Sequence, residues 1–187
     1  LTVTLFKWDI EPWNAGKHRF GGNIQLGVVT VQTDGGLEGH AFLGSPSQGA
    51  DVFAGPLMDR IKPILIGRNP LDIGAIWQNM WDQHRYVALR TIGAVDVALW
   101  DLAGKIAGLP IHRLLGSCKS QVPAYASSAW LPTPEAYGEE ALQFKSQGWT
   151  AYKAHPHGVP REDIEICRAI RNAVGDDMIL MLDAMWA

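Results

Sequence analysis

No apolar run in this sequence approaches the roughly 18 residues that a membrane-spanning helix needs, so no such span is expected. The first residues, LTVTLFKWDIEPW, lack a basic segment followed by a long apolar one, and no signal peptide is visible in them. They also lack an initiator methionine, from which we expect that residues ahead of Leu1 are missing or removed. Cysteine is scarce: Cys118 and Cys167 stand alone without CxxC spacing, which argues against a disulfide framework or a structural zinc site and fits a reducing cytoplasm. An excess of either charge is missing too. A net charge of -3 and a pI near 6.1 give no electrostatic case for nucleic acid or an anionic membrane as partner. No glycine-rich phosphate loop of the GxGxxG or GxxxxGK[ST] type follows any strand candidate, which weakens a nucleotide-binding reading.

What is present suffices for a packed core. The 187 residues are 47% hydrophobic and 19% charged, room for one generous domain or two small ones. Eight tryptophans read as apolar anchors of a core or subunit interface, and a homo-oligomer is expected.

Two grammars meet near residue 120. In the first, QLGVVTVQTDGGLEGHAFLG reads as two strands joined by the turn TDGG, whose glycines supply positive φ. Helical spacing follows in ADVFAGPLMDRIKPILIG, before Pro63, and in PLDIGAIWQNMWDQHR. The clearest helix is TIGAVDVALWDLAGKIAGLP: Ile92, Val95, Leu99, Leu102 and Ile106 make one apolar stripe, and Gly108 with Pro110 ends it. This half is an α+β arrangement.

The second grammar alternates. QVPAYASS, WTAYKAH and DMILMLDA are strand candidates, separated by the helical patterns TPEAYGEEALQFKSQG and PREDIEICRAIRNAVG. Strand, helix, strand, helix, strand with short joints is the pattern of a parallel sheet with right-handed crossovers. It begins either an open doubly wound sheet or a (β/α)8 barrel, and periodicity does not choose.

Active sites of parallel α/β folds form at the carboxyl ends of the strands. There stand Ser127 and Ser128 after the first strand, Lys153 and His155 at the second, and Asp183 after the third. Lys153 and His155, two apart, point to one side of an extended strand. If the second and third strands are neighbours, roughly 5 Å apart, lysine, histidine and carboxylate converge at one mouth. A carboxylate suits a hard cation such as Mg2+, and Lys or His suits general-base work beside it. On spacing alone both residues could equally decorate a strand end, and one carboxylate is too few for a tight Mg2+ site.

The stretch AVDVALWDLAGKIAGLPIHRLLG closely resembles the signature of the mandelate racemase and muconate lactonizing enzyme family of the enolase superfamily. Ala98, Trp100, Asp101, Leu102, Pro110, Leu114, Leu115 and Gly116 carry the likeness. The signature itself is a packing feature, because its stripe is a core stripe. The resemblance extends over essentially the whole chain. It implies an α+β capping domain, residues 1–118, followed by the first three βα units of a modified (β/α)8 barrel, residues 119–187. A barrel does not close on three strands, so the chain is expected to be half of a longer enzyme.

By position in that family, Lys153 and His155 match a Lys-x-Lys pair and Asp183 the first Mg2+ ligand. Two positions depart: His155 replaces the second lysine, which is often the base, and Met185 stands where many relatives have Asn. His155 then serves either as base or as a hydrogen-bond donor to substrate. The segment NAGKHRFGG resembles the capping-domain loop that closes over substrate, with Lys17, His18 and Arg19 meeting an anionic or hydroxylated end; a solvated loop is the plain alternative. Ser127 is a further substrate-binding candidate. The resemblance implies Mg2+-dependent dehydration of a sugar acid, a small-molecule carboxylate, to a 2-keto-3-deoxy acid. The alternatives are racemisation or epimerisation of a 2-hydroxy or amino acid, or an inactive module that only folds or oligomerises.

Overall fold

In the computed structural model, residues 1–15, 18–45 and 48–184 are described, with the side chains of residues 13–15 and 18–20 set aside. The chain divides into two compact units, Leu1–Trp13 with Phe20–Cys118, and Asn14–Arg19 with Lys119–Ala187.

The first unit carries a three-stranded sheet ordered β1 (Thr2–Ala15), β2 (His18–Gln32), β3 (Glu38–Leu43). Strand β1 is one more than the sequence pattern suggested. The antiparallel β2–β3 pair runs from Gln32↔Glu38 to Gly27↔Leu43, so odd-numbered residues of β2 from Gln25 to Val31 all face the core. The joint is the expected TDGG turn: Gly36 sits at φ +85°, its N–H donates to Thr33 O (3.1 Å), and Leu37 N–H donates to Thr33 Oγ1 (3.1 Å).

Helices then cover the inner face of the sheet. A continuous helical rod comprises α1 (Asp51–Pro56), a wider π-helical turn (Leu57–Ile61) and α2 (Lys62–Leu65). It passes through Pro63, where the sequence pattern had ended it: the π-helical turn lies just ahead of the proline, and Lys62 N–H donates back to Leu57 O across it. The buried Gln25 accepts the Asp51 N–H on Oε1 (3.1 Å), which satisfies an orphan donor at the start of α1. After α3 (Ile73–Trp81) comes the long α4 (Leu89–Ala107), which packs on β3. Ile92, Val95, Leu99 and Leu102 are buried as their spacing predicts, but Ile106 is 41% exposed and Ala103 is buried instead. A 3.6-residue helix drifts off a strict seven-residue stripe within two or three turns. Gly108, at φ +64°, closes α4: its N–H donates to Lys105 O (3.3 Å), and Leu109 N–H reaches back to Gly104 O (3.0 Å). A short helix, α5 (Ile111–Leu114), follows.

Two features of the Trp-Asp-Leu stretch fix α4 on β3. The backbone at Gly39 lies so close that a Cβ there would stand 2.0 Å from Ala98 O and 2.8 Å from Leu102 Cβ. Asp101 Oδ2 accepts the His40 N–H (2.8 Å) and the Lys105 ammonium (2.7 Å), and Lys105 also donates to Glu38 O (2.8 Å). Burial opposes the Asp101 charge, yet the Lys105 and His40 hydrogen bonds outweigh it and hold this carboxyl below the usual range.

The second unit is a parallel sheet ordered β4 (Ala126–Ser127), β5 (Ala151–Ala154), β6 (Ile179–Leu182), with α6 (Pro134–Ser146) and α7 (Pro160–Val174) as the crossovers. Both helices start with Pro and early acids, and Thr133 Oγ1 caps α6 by accepting the Ala136 N–H (3.2 Å). Their apolar stripes bury Tyr137, Ala141, Ile166, Ile170 and Val174 against Tyr152 and Ala154 of β5. Arg171 donates to Gly175 O (2.7 Å) and Met178 O (2.9 Å), tying the end of α7 to the start of β6.

Two outcomes test the first unit. Gly39→Ala is expected to destabilise it by about 3 kcal/mol, because the backbone of α4 must retreat, read as a lower denaturant midpoint with unchanged slope. Asp101→Asn is expected to cost about 1 kcal/mol at neutral pH, since the carboxyl is partly exposed. A depressed folded pKa gives stability that is present above the unfolded value near ~3.9 and lost as pH falls through the folded value. The gap between wild type and Asp101→Asn in denaturant titrations should therefore close below about pH 4.

Candidate active site

The strand register assembles the site. Ser127 pairs with Lys153, Lys153 with Met181, and Ala154 with Leu182. Backbone bonds extend the alignment past the strand ends: Ser128 N–H donates to Lys153 O (2.9 Å) and Asp183 N–H to Ala154 O (2.9 Å). Tyr152 and Ala154 are buried against the helices, so strand alternation puts Lys153 and His155 on the opposite face.

There Lys153 Nζ lies 2.7 Å from Asp183 Oδ2, and His155 Nε2 lies 3.6 Å from the same oxygen. All three side chains are 20–35% exposed, half in and half out of solvent. Tyr125 adds a ring face 5.7 Å from Lys153 Nζ. The Asp183 carboxylate, foremost by its hydrogen bond, raises the Lys153 pKa, so the ammonium stays charged at neutral pH and is unsuited to accept a proton.

His155 is held on three sides. Its backbone N–H donates to Ser128 Oγ (2.9 Å), its carbonyl accepts from Tyr137 OH (2.7 Å), and its ring Nδ1 lies 2.9 Å from Ser128 O. Trp130 meets the ring edge-on, with centroids 6.3 Å apart. Ser127 is exposed, its Oγ 3.5 Å from His155 Nδ1, which is at most a weak contact.

Lys153, His155, Ser127 and Asp183 thus share one end of the sheet, as their spacing suggested. Lys17, the side chains of His18 and Arg19, and Met185 lie outside the described residues. Sequence reasoning noted Ser128 only as a polar strand end and gave Tyr137 no part. Both act through partners far along the chain, and no local pattern announces that. Among the described residues no group of three or more His, Cys, Asp or Glu could hold a metal ion. Asp183 offers one hard oxygen ligand, and these residues do not close a Mg2+ site by themselves.

Comparison with known proteins defines the class. The N-terminal domain model of mandelate racemase / muconate lactonizing enzyme matches residues 2–116, and an enolase C-terminal domain-like model matches residues 136–187. The chain belongs to the mandelate racemase and muconate lactonizing enzyme family of the enolase superfamily. Its first unit is the family's α+β capping domain, and its second carries the opening strands of the barrel. A curated relative, 3,6-anhydro-alpha-L-galactonate cycloisomerase of Streptomyces coelicolor, is 32% identical over 87% of this chain and 47% of its own length. The magnesium complex of D-glucarate dehydratase from Agrobacterium tumefaciens superposes with a TM-score of 0.81 at 30% identity, over 97% of this chain and 52% of that one. A Streptomyces coelicolor racemase with bound magnesium gives 0.85 at 29% identity, over 100% and 55%. The chain spans about half the length of the curated relatives it matches. No helix among the described residues is long and apolar enough to cross a membrane.

Replacing Asp183 by Asn should let the Lys153 pKa fall back toward its ordinary value, since the group that raises it is gone. The 13Cε chemical shift of Lys153 followed through alkaline pH reads this directly; an unchanged midpoint would contradict the ion pair.

Proposed function

We propose that the whole protein of which this chain is part removes the proton α to a carboxylate with the aid of Mg2+, and that its reaction is dehydration of a sugar acid to a 2-keto-3-deoxy acid. The observation that carries this reading is the convergence of Lys153, His155 and Asp183 at the carboxyl ends of adjacent parallel strands. Relatives whose names identify them as acid-sugar dehydratases support the reaction class. The division at residue 118, with capping domain before and barrel after, is part of the same proposal.

Each group has a role that suits its chemistry. Asp183 is a metal ligand; Mg2+, when bound, stabilises the negative charge that builds on the substrate carboxylate as the α-proton leaves. Lys153, permanently cationic beside Asp183, holds and polarises that carboxylate. His155 is the base: it takes the α-proton, the C–H electron pair forms the new double bond, and a general acid gives the proton with which the β-hydroxyl leaves as water. The resulting enol tautomerises to the 2-keto-3-deoxy product. Ser127, Lys17, His18 and Arg19 bind the hydroxylated or anionic part of the substrate. A cytoplasmic homo-oligomer acting on a small carboxylate completes the proposal.

Incubating the whole protein with a panel of acid sugars and Mg2+ should yield a 2-keto-3-deoxy acid, with kcat/KM lowered about 10²–10⁴-fold by His155→Ala. Asp183→Asn should lose about 10²–10³-fold or more. Turnover of none of the panel by wild type would sink the dehydratase. Deuterium uptake at the α-carbon without loss of water would assign racemisation instead.

A further inference from the structure

His155 has two possible parts in such a site, a proton acceptor or a neutral hydrogen-bond donor, and they need opposite tautomers. A neutral imidazole carries one N–H, and the hydrogen bond made by one ring nitrogen decides the state of the other. Here Nδ1 lies 2.9 Å from the backbone carbonyl of Ser128. A carbonyl oxygen has no proton to give, so the proton of this bond belongs to Nδ1. Nε2, on the Asp183 side, is then left with a lone pair.

The carbonyl is itself well fixed. Ser128 is 6% exposed, and its own N–H is committed to Lys153 O (2.9 Å). Its hydroxyl accepts the His155 N–H (2.9 Å), so one serine grips the histidine twice, at the backbone and at the ring. On the far side the buried Tyr137 donates to the His155 carbonyl (2.7 Å) and accepts the Leu131 N–H (3.1 Å). The backbone of His155 is thereby held at both its N–H and its C=O, and the ring itself is held by its Nδ1 bond and by the edge-on Trp130.

We propose that Ser128 is a positioning residue that locks His155 as the Nδ1–H tautomer, so that Nε2 faces the substrate as a proton acceptor. The inference rests on the assignment of His155 as base and extends it. Neutral His155 takes the α-proton at Nε2 and becomes imidazolium; only then has Nε2 a proton to donate. A neutral His155 does not polarise a substrate carbonyl through Nε2–H.

Long-range 1H–15N correlation of the imidazole in the 15N-labelled chain reads the tautomer directly. Once the pH is high enough that the ring is neutral, Nδ1 is expected to show a protonated shift and Nε2 an unprotonated one. His155→Gln identifies the signal by its disappearance. Ser128→Ala and Ser128→Thr both keep the backbone carbonyl that accepts from Nδ1, so both rings should stay in the Nδ1–H form. A wild-type ring carrying its proton on Nε2, or mixing both tautomers, would overturn the inference. The readout is independent of turnover: a locked Nδ1–H ring in a protein that converts no acid sugar removes the reaction and leaves the lock. Active protein with a freely mixing ring does the opposite.

Discussion

The parallel register of β4, β5 and β6 is the constraint on which the candidate site depends. Side chains alternate along a strand, so a one-residue slip of β5 would carry Lys153 and His155 to the helix face and Tyr152 and Ala154 to the mouth. The slip is blocked from both sides. Tyr152 and Ala154 are fully buried between the strand and the α6–α7 layer, and exchanging them for a lysine and a histidine would bury charge without a partner. The ladder also continues past the last paired residues, through Ser128 N–H to Lys153 O and Asp183 N–H to Ala154 O. The catalytic candidates therefore inherit their geometry from apolar packing on the other face of the same strand.

The capping domain is fixed by a different device. The family signature sits on α4, and its aspartate faces β3: Asp101 joins the His40 N–H, Lys105 and, through Lys105, the Glu38 carbonyl. Gly39 brings the strand within backbone distance of the helix, where any side chain would collide with Ala98 O. A residue pattern that identifies the family so sharply is thus a docking joint between a strand and a helix. Its information concerns fold, and the chemistry must be argued from the strand ends alone.

Much of this was legible in the chain. The βαβαβ grammar, the α4 stripe and the TDGG turn are local signals, and each survives folding because burial and turn chemistry agree with it. The convergence of Lys153, His155 and Asp183 follows once neighbouring parallel strands are assumed. Strand β1 was harder to see: Leu5, Phe6, Trp8 and Ile10 are all about half exposed, as befits an edge strand, and the charges Lys7, Asp9 and Glu11 interrupt the pattern. The grip on His155 was beyond reach. Ser128 and Tyr137 meet it across 27 and 18 residues of sequence, and the Tyr137 bond runs from a helix otherwise read as core packing.

Lys153 and His155 share one carboxylate unequally. Two ammonium groups beside one carboxylate would compete for it, and each would perturb the other. Here the pairing is unequal: Lys153 holds Asp183 at 2.7 Å and stays charged, while His155 Nε2 stands off at 3.6 Å. A lysine and a histidine two positions apart at the end of one strand thus face the same carboxylate.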